Sequence, residues 1–331
     1  MMRLPSFTYL APRGLTEAAD QLARHQPDAL VVAGGTDLLP NMKRRQQQPK
    51  VVIGLRLVAE LRGIAETEDG GLRIGAMMPL AALAGDPRLA ERYPALAVAA
   101  NLVSTPHLRR MGTFGGNLCL DTRCTYYDQS YHWRESIDFC MKCPDTNSGA
   151  ICWVAPESPR CWAVSSADTA PVAVALGARL RLVSVHGERT LDAGAFFRDD
   201  GIHYLDRRPD EILADAWFPS RAGWRMTYLK LRRRGSFDFP VLGVAAAVKL
   251  SDGAVEQVRL VLGSVGSAPV DVSEAAAPLV GTTPTPAAIE AIAATAWRGA
   301  RPLDNTDLHY AWRKKMARVY VRRALAEVCA A

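Results

Sequence analysis

Thr113-Phe114-Gly115-Gly116-Asn117-Leu118-Cys119-Leu120-Asp121-Thr122-Arg123-Cys124 joins a glycine turn to a cysteine-rich run, and the rest of the chain is organised around that junction. From Gly115 to Cys161 lie six of the seven cysteines, at 119, 124, 140, 143, 152 and 161; only Cys329 lies elsewhere. Between them stand Tyr126, Tyr127, Tyr131, Trp133, Phe139 and Trp153, with charges and turn formers but few aliphatic residues. A long segment with no periodic apolar face does not belong inside a compact domain unless something else orders it. Clustered thiolates do so by binding metal, whose ligation energy replaces a missing local core. The stretch reads as a metal-stapled insertion, about residues 119–163.

The spacing narrows the metal without fixing it. Zinc usually takes two close Cys-x-x-Cys pairs, and only Cys140-Met141-Lys142-Cys143 fits. Cys124, 140, 152 and 161 match neither a zinc ribbon nor a compact ferredoxin run, yet four separated thiolates on a loop can wrap a cubane cluster. Cluster and zinc both stay open, the cluster narrowly ahead and disulfides behind. Met1-Met2-Arg3-Leu4-Pro5 begins no apolar signal run, so the expected location is the reducing cytoplasm.

With 331 residues the chain has room for two or three domains, and 49% hydrophobic with 22% charged residues is ordinary for a globular protein. No apolar run reaches the roughly 18 residues of a membrane span. The net charge of +6 gathers in Arg232-Arg233-Arg234, Arg313-Lys314-Lys315 and Arg322-Arg323. Such runs are solvated faces or contacts to an acidic partner; without a groove-reading motif they do not indicate nucleic-acid binding.

Upstream of the junction, Thr16 to His25 has a 3-4 spaced apolar face with Thr16 as the expected cap. Ala29-Leu30-Val31-Val32 is a short buried strand that runs into Ala33-Gly34-Gly35-Thr36-Asp37, and Leu38 to Met42 begins a helix. Glycines at a strand-to-helix turn let N–H groups approach an anion, and the helix adds its dipole. A lone Gly-Gly would be only a tight turn. The second turn, Thr113 to Asn117, lies about eighty positions later. Two such turns, each offering N–H donors, suit a long dinucleotide. Neither G-x-G-x-x-G nor a P-loop is present, which excludes Rossmann and P-loop sites. Val51–Ile53 and Leu72–Gly75 are expected strands, and Leu80–Leu83 and Pro94–Val103 expected helices.

Downstream, Asp168 is a cap or turn residue, or an acceptor for a ribose or ribityl hydroxyl. After a junction at Ser220–Gly223 come three expected strands, Thr227–Leu231, Val241–Leu250 and Val255–Gly263, with a Ser251-Asp252-Gly253 hairpin. Helices are expected over Val272–Leu279, Pro286–Trp297 and Leu308–Val328. The last would bury Leu308, Trp312, Met316, Val319, Tyr320, Arg323 and Val328 as core. Strands followed by helices make an antiparallel α+β unit. Hydrolase and deaminase chemistry is unsupported: Ser264 sits in no G-x-S-x-G elbow, and His186-Gly187-Glu188 has no P-C-x-x-C after it.

Ala33-Gly34-Gly35-Thr36-Asp37, Thr113-Phe114-Gly115-Gly116-Asn117, Asp168-x-Ala170-Pro171 and Tyr228-x-Lys230-x-Arg232, in this order, resemble the FAD-binding medium subunit of the xanthine dehydrogenase and carbon monoxide dehydrogenase family. The run from Gly116 to Ser130, whose Thr122 to Ser130 part is its most specific motif, with Trp133-Arg134 after it, looks like the beta subunit of 4-hydroxybenzoyl-CoA reductase, which carries an extra 4Fe-4S cluster. The resemblance implies an α+β chain: a PCMH-type FAD-binding domain of two α/β subdomains over residues 1–220, bearing the cluster insertion, and a CO dehydrogenase flavoprotein C-terminal-like domain over 221–331. It implies FAD at Leu30, Val31, Val32, Ala33, Gly34, Gly35, Thr36, Asp37, Thr113, Phe114, Gly115, Gly116, Asn117, Asp168, Leu213 and Lys230. The implied 4Fe-4S ligands are Cys124, Cys140, Cys152 and Cys161. Cys143 is an additional thiol that could replace Cys140 or Cys152, and Cys119 is a small buried residue beside the flavin turn.

The same resemblance implies partners: a molybdenum-cofactor large subunit and a small subunit with two 2Fe-2S clusters, in a dimer of heterotrimers. A ferredoxin-type donor would send electrons through cluster and FAD toward molybdenum, where an aromatic CoA thioester loses its phenolic hydroxyl. Three rivals remain. A molybdenum hydroxylase or aldehyde oxidoreductase would run the electrons the other way. A basic iron–sulfur nucleic-acid binder or redox sensor would show salt-dependent retention and no flavin. A zinc-stapled docking loop would hold zinc without iron.

Overall fold

A computed structural model describes residues 3–143 and 151–330; Met1-Met2, the 144–150 part of the cysteine stretch and Ala331 lie outside the described residues. The described residues form three sheets.

The first is small and parallel. β1 (Thr8–Leu10) and β2 (Ala29–Val32) flank β3 (Val51–Gly54), joined through helices α1 (Leu15–Arg24) and α2 (Leu38–Lys43). Leu15, Ala18, Ala19 and Leu22 on α1 pack on Ala29 and Ile53, as their 3-4 spacing requires. The helix starts at Leu15, not Thr16, and Thr16 does not cap it. Glu60 Oε1 instead accepts from the Leu15 N–H at 3.1 Å, a cap brought from 45 residues away that no local pattern announces.

The second sheet is antiparallel, in the order β4 (Ile64–Glu66), β5 (Leu72–Gly75), β8 (Ile212–Phe218), β6 (Arg179–Ser184), β7 (Gly187–Asp192). Between β5 and β6 the chain makes α3 (Leu80–Gly85), α4 (Pro87–Arg92), α5 (Pro94–Leu102), α6 (Pro106–Met111), α7 (Phe114–Leu118), α8 (Tyr131–Ser136) inside the cysteine stretch, and the wholly buried α9 (Thr169–Ala175). Pro87, Pro94 and Pro106 each open a helix, where a missing N–H costs nothing. A one-turn helix, α10 (Ala193–Phe196), follows β7.

The third sheet, β9 (Trp224–Leu231), β10 (Leu242–Ser251), β11 (Ala254–Gly263) and β12 (Val270–Asp271), is an antiparallel meander with each strand beside the next. Asp252 and Gly253, both at positive φ, make the expected tight hairpin. Both faces of β10 are buried. Val244, Ala246 and Val248 pack under α11 (Pro286–Ala296) and α12 (Tyr310–Cys329), while Ala245 and Ala247 join the core that contains α5 and α9. This sheet therefore ties the C-terminal unit to the rest.

The face of α12 differs from the expected stripe. Arg313, Ala317, Val321, Ala324, Leu325 and Val328 are buried; of the expected residues only Val328 is, and Trp312 is 43% exposed. Arg313 decides the rotation. Its fully buried guanidinium donates to the carbonyls of Val241 (3.0 Å), Leu303 (3.1 Å) and Ser264 (2.7 Å). Three strand-end and loop carbonyls thus find their donor in a side chain that composition assigns to the surface. Ser273–Leu279, expected as a helix, is a 3-10 segment with Pro278 inside.

Candidate functional site

The turn after β2 and the segment before α7 meet in space. A methyl group on Gly34 would lie 1.9 Å from the Met111 carbonyl oxygen, so only glycine lets the first turn rest on the end of α6. Gly35 has φ +73°. Among the described residues the N–H groups of Gly34, Gly35 and Thr36 donate to nothing in the chain, which leaves a row of backbone donors open.

The second turn is not the donor nest the sequence suggested. Thr113 caps a short helix: its Oγ1 accepts from Gly116 N–H at 3.1 Å, Gly115 N–H donates to Ala76 O at 2.8 Å, and Asn117 N–H to Thr113 O at 2.9 Å. With these donors used, the glycines supply room; a methyl on Gly115 would sit 2.5 Å from Ala76 Cβ. Asn117 Oδ1 accepts from the Thr169 N–H (3.1 Å) and hydroxyl (2.7 Å), fixing the start of α9.

Between the two turns opens a cleft of about 640 Å³, within the size range of small-molecule sites. Of the expected flavin positions, Leu30, Val31, Ala33 to Asp37, Thr113, Gly115 to Asn117, Asp168, Leu213 and Lys230 line it. Val32 and Phe114 do not; Phe114 is buried in the core against Phe218. Asp168 stands before α9 but caps nothing. It accepts from the Tyr228 hydroxyl and the Lys230 ammonium, each at 2.9 Å, across the junction between the second and third sheets. Lys230 also donates to Leu102 O at 2.9 Å. Burial raises the Asp168 carboxyl and lowers the Lys230 ammonium, and their mutual attraction opposes both shifts.

Sequence reasoning missed the cleft's other cations, Arg44, Arg123 and Arg207, although Arg123 lies in the quoted motif. Arg123 is ion-paired to Asp37 and lies within 3.5 Å of Asp128. Asp37, which the sequence placed in an anion cradle, thus spends its charge on Arg123; burial raises its carboxyl despite that partner. Open backbone donors, four cations and a cleft of this size suit a dinucleotide carrying a diphosphate.

A second, small cavity lies beside the first. Cys124, Cys140, Cys152 and Cys161 all line it, with Tyr127, Lys142 and Trp153 among its other walls. All four are buried, and burial pushes the Cys124 thiol up to about 12. Cys143 is not in this wall; its Sγ is 3.6 Å from Cys140 Sγ and 3.5 Å from Arg134 Nη1. No pair of the seven cysteines is bonded. Among the described residues no three His, Cys, Asp or Glu side chains converge tightly enough for a single metal ion. The four thiols share the wall of this one small cavity, and clustered thiols are the donor type an iron–sulfur centre takes.

The two cavities share a wall. Arg123 and Val164 form an isolated antiparallel bridge, with N–H···O distances of 2.8 and 2.7 Å. At the bridge Arg123 lines the cleft and the next residue, Cys124, lines the thiol cavity; the chain then turns, with Tyr127 N–H donating to Cys124 O at 3.0 Å, so that Thr125 lines the cleft and Tyr126 the cavity.

The family described as the FAD binding domain in molybdopterin dehydrogenase matches residues 5–221, and the CO dehydrogenase flavoprotein C-terminal domain matches 226–328. The nicotine 6-hydroxylase medium subunit of Paenarthrobacter nicotinovorans is 28% identical over 98% of both chains. The aldehyde oxidoreductase FAD-binding subunit PaoB of Escherichia coli is 29% identical, over 83% of this chain and 86% of that one. Among solved structures, carbon monoxide dehydrogenase from Hydrogenophaga pseudoflava superposes with a TM-score of 0.81 at 28% identity, covering 99% of this chain and 98% of that one. No helix among the described residues is long and apolar enough to cross a membrane.

Proposed function

Because this chain belongs to the family of FAD-binding subunits of molybdopterin dehydrogenases, we propose that it is the FAD- and 4Fe-4S-bearing electron-transfer subunit of a molybdenum enzyme of the 4-hydroxybenzoyl-CoA reductase type. The observation that carries the reading is the shared wall: consecutive residues Arg123 and Cys124 face a dinucleotide-sized cleft and a four-thiol cavity. Bound FAD exchanges one or two electrons and a cluster exchanges one, so the pair supplies stepwise electron transfer.

In this reading the chain's own residues bind and orient. The open N–H groups of Gly34 to Thr36 and the cleft cations receive the diphosphate. Lys230, held by Asp168 and Leu102 O, presents fixed positive charge to the cleft. Cys124, Cys140, Cys152 and Cys161 hold the cluster, and Cys143, turned toward Arg134, does not. The division between flavin and C-terminal domains falls near residue 220. Substrate chemistry belongs to a molybdenum-bearing large subunit, with a 2Fe-2S small subunit completing a heterotrimer and a ferredoxin-type protein as donor.

Anaerobic purification with flavin, iron and acid-labile sulfide analysis tests the cofactors. Cys124→Ser is expected to abolish iron binding while FAD stays; unchanged iron sinks the cluster assignment. Reduction of 4-hydroxybenzoyl-CoA by the complex tests the reaction. A second reading is favoured by the relatives, which include a nicotine hydroxylase and an aldehyde oxidoreductase. It keeps the fold and sends electrons outward from molybdenum, and oxidation of aromatic aldehydes or N-heterocycles without thioester reduction would select it.

A further inference from the structure

Lys142, between Cys140 and Cys143, is the cationic side chain in the wall of the thiol cavity. Its side chain is only 6% exposed. The ammonium donates to Asp121 Oδ1 at 2.7 Å, to Thr122 Oγ1 at 2.6 Å and to Gly201 O at 2.6 Å. The rings of Tyr127 and Tyr204 flank it at 5.1 and 5.2 Å. Asp121 is 7% exposed and lines the flavin cleft, as does Tyr204. Asp121 also accepts from Thr122 N–H at 2.9 Å and Gln47 Nε2 at 3.3 Å. One buried ion pair therefore spans the partition, its positive end in one cavity wall and its negative end in the other.

A buried ion pair is a poor device for stability alone, since desolvation offsets most of its attraction. Its position and orientation give it another consequence. We propose that the Lys142–Asp121 pair is a positioning element that sets how an electron is shared between the cluster and the flavin. The proposal rests on the FAD and 4Fe-4S reading above. One electron leaves the reduced cluster and arrives at the oxidised flavin; the external donor supplies it, and the ion pair gains and loses nothing. Positive charge beside the thiol cavity favours the electron there, and negative charge beside the cleft disfavours it on the flavin. At an effective dielectric of about 20, a unit charge within about 10 Å changes such an equilibrium by about tenfold or more.

The experiment is a redox titration of the anaerobic holo-complex, following the cluster by electron paramagnetic resonance and the flavin by absorbance. Lys142→Met is expected to lower the cluster's potential, and Asp121→Asn to raise the flavin's more than the cluster's. Each moves the partition toward flavin by about tenfold, about 59 mV for one electron. Lys142→Arg, which keeps the charge, is expected to hold the wild-type partition. Variants that retain iron and flavin at unchanged potentials overturn the inference and leave the cofactor reading intact. A wild-type complex without iron and sulfide removes the reading and the inference together. Should Lys142→Met lose its iron, Asp121→Asn decides; loss of iron in both makes the pair a structural staple only and overturns the proposal.

Discussion

Replacing Gly34 by alanine would place a carbon 1.9 Å from the Met111 carbonyl oxygen and 2.6 Å from its carbonyl carbon, both backbone atoms. Since real Cβ contacts essentially never fall below 3.0 Å, the first turn and the end of α6 must separate by about 1.1 Å. Neither side moves freely. Gly112 N–H is bonded to Leu108 O at 2.7 Å, Leu80 N–H to Gly112 O at 2.9 Å, and β2 is locked in register with β3. Overpacking of this kind costs about 1–3 kcal/mol. A shift near 1 Å also takes the N–H donors of residues 34–36 out of hydrogen-bonding range of a phosphate. Losing even one charge-assisted bond, about 1.5–3 kcal/mol, weakens FAD binding by about tenfold or more. The assay strips the flavin, titrates FAD back by fluorescence quenching, and compares melting temperatures with and without it. Gly85→Ala is the control: nothing lies within 4 Å of its new carbon, and it is expected to bind and melt as the wild type does. A Gly34→Ala chain with wild-type FAD affinity and melting temperature would refute the reasoning.

Asp168→Asn leaves the Lys230 ammonium, 1% exposed, without its carboxylate, and the expected loss is about 3–5 kcal/mol by urea unfolding. The Asp168→Leu/Lys230→Met double variant should recover part of it, while an Asp168→Asn loss below about 1 kcal/mol would show that the pair does not hold the domains together. Arg189 donates to Asp206 and, with Nε at 2.7 Å, to Glu211. The Arg189 bond holds the Asp206 carboxyl below its ordinary 3.8; for Glu211 burial pushes upward, but Arg189 and the Arg208 N–H outweigh it and hold the group below 4.5. Carboxylates depressed in the fold add stability that is complete above these ordinary values and is lost as pH falls through the folded ones. Melting temperature should therefore fall below about pH 4.5, and Arg189→Met should flatten that slope; an unchanged slope would contradict the assignment. On α12, Leu325→Ala is expected to cost about 2–5 kcal/mol. Trp312→Ala should cost within about 0.5 kcal/mol, and the reverse order would mean that the helix presents its other face.

Much of the cleft was legible because turn chemistry is local. A strand ending in Gly34-Gly35, and a threonine three positions before Gly116, announce themselves in a few residues. What those turns do was less legible. Whether an N–H is free depends on carbonyls far away in sequence, and Ala76 O takes the Gly115 donor that the motif alone left open. Arg123 was visible in its motif together with Asp128, but its other acidic partner, Asp37, comes from 86 residues away. The α12 face was misjudged because apolar side chains were weighted above a buried arginine that satisfies three backbone carbonyls.

By itself the sequence determined several strands, among them Ala29–Val32, Leu72–Gly75 and the three that open the C-terminal unit, together with the hairpin at Asp252-Gly253 and the order of the motifs, since each rests on neighbouring residues and their periodicity. Only the tertiary structure decided that the two glycine turns touch, that Cys143, though 3.6 Å from Cys140, lies outside the wall the other four thiols share, and that one short segment walls both cavities. The reason is geometric. Strand alternation says that Arg123 and Cys124 point oppositely, but what lies on either side of them is supplied by chain folded in from elsewhere.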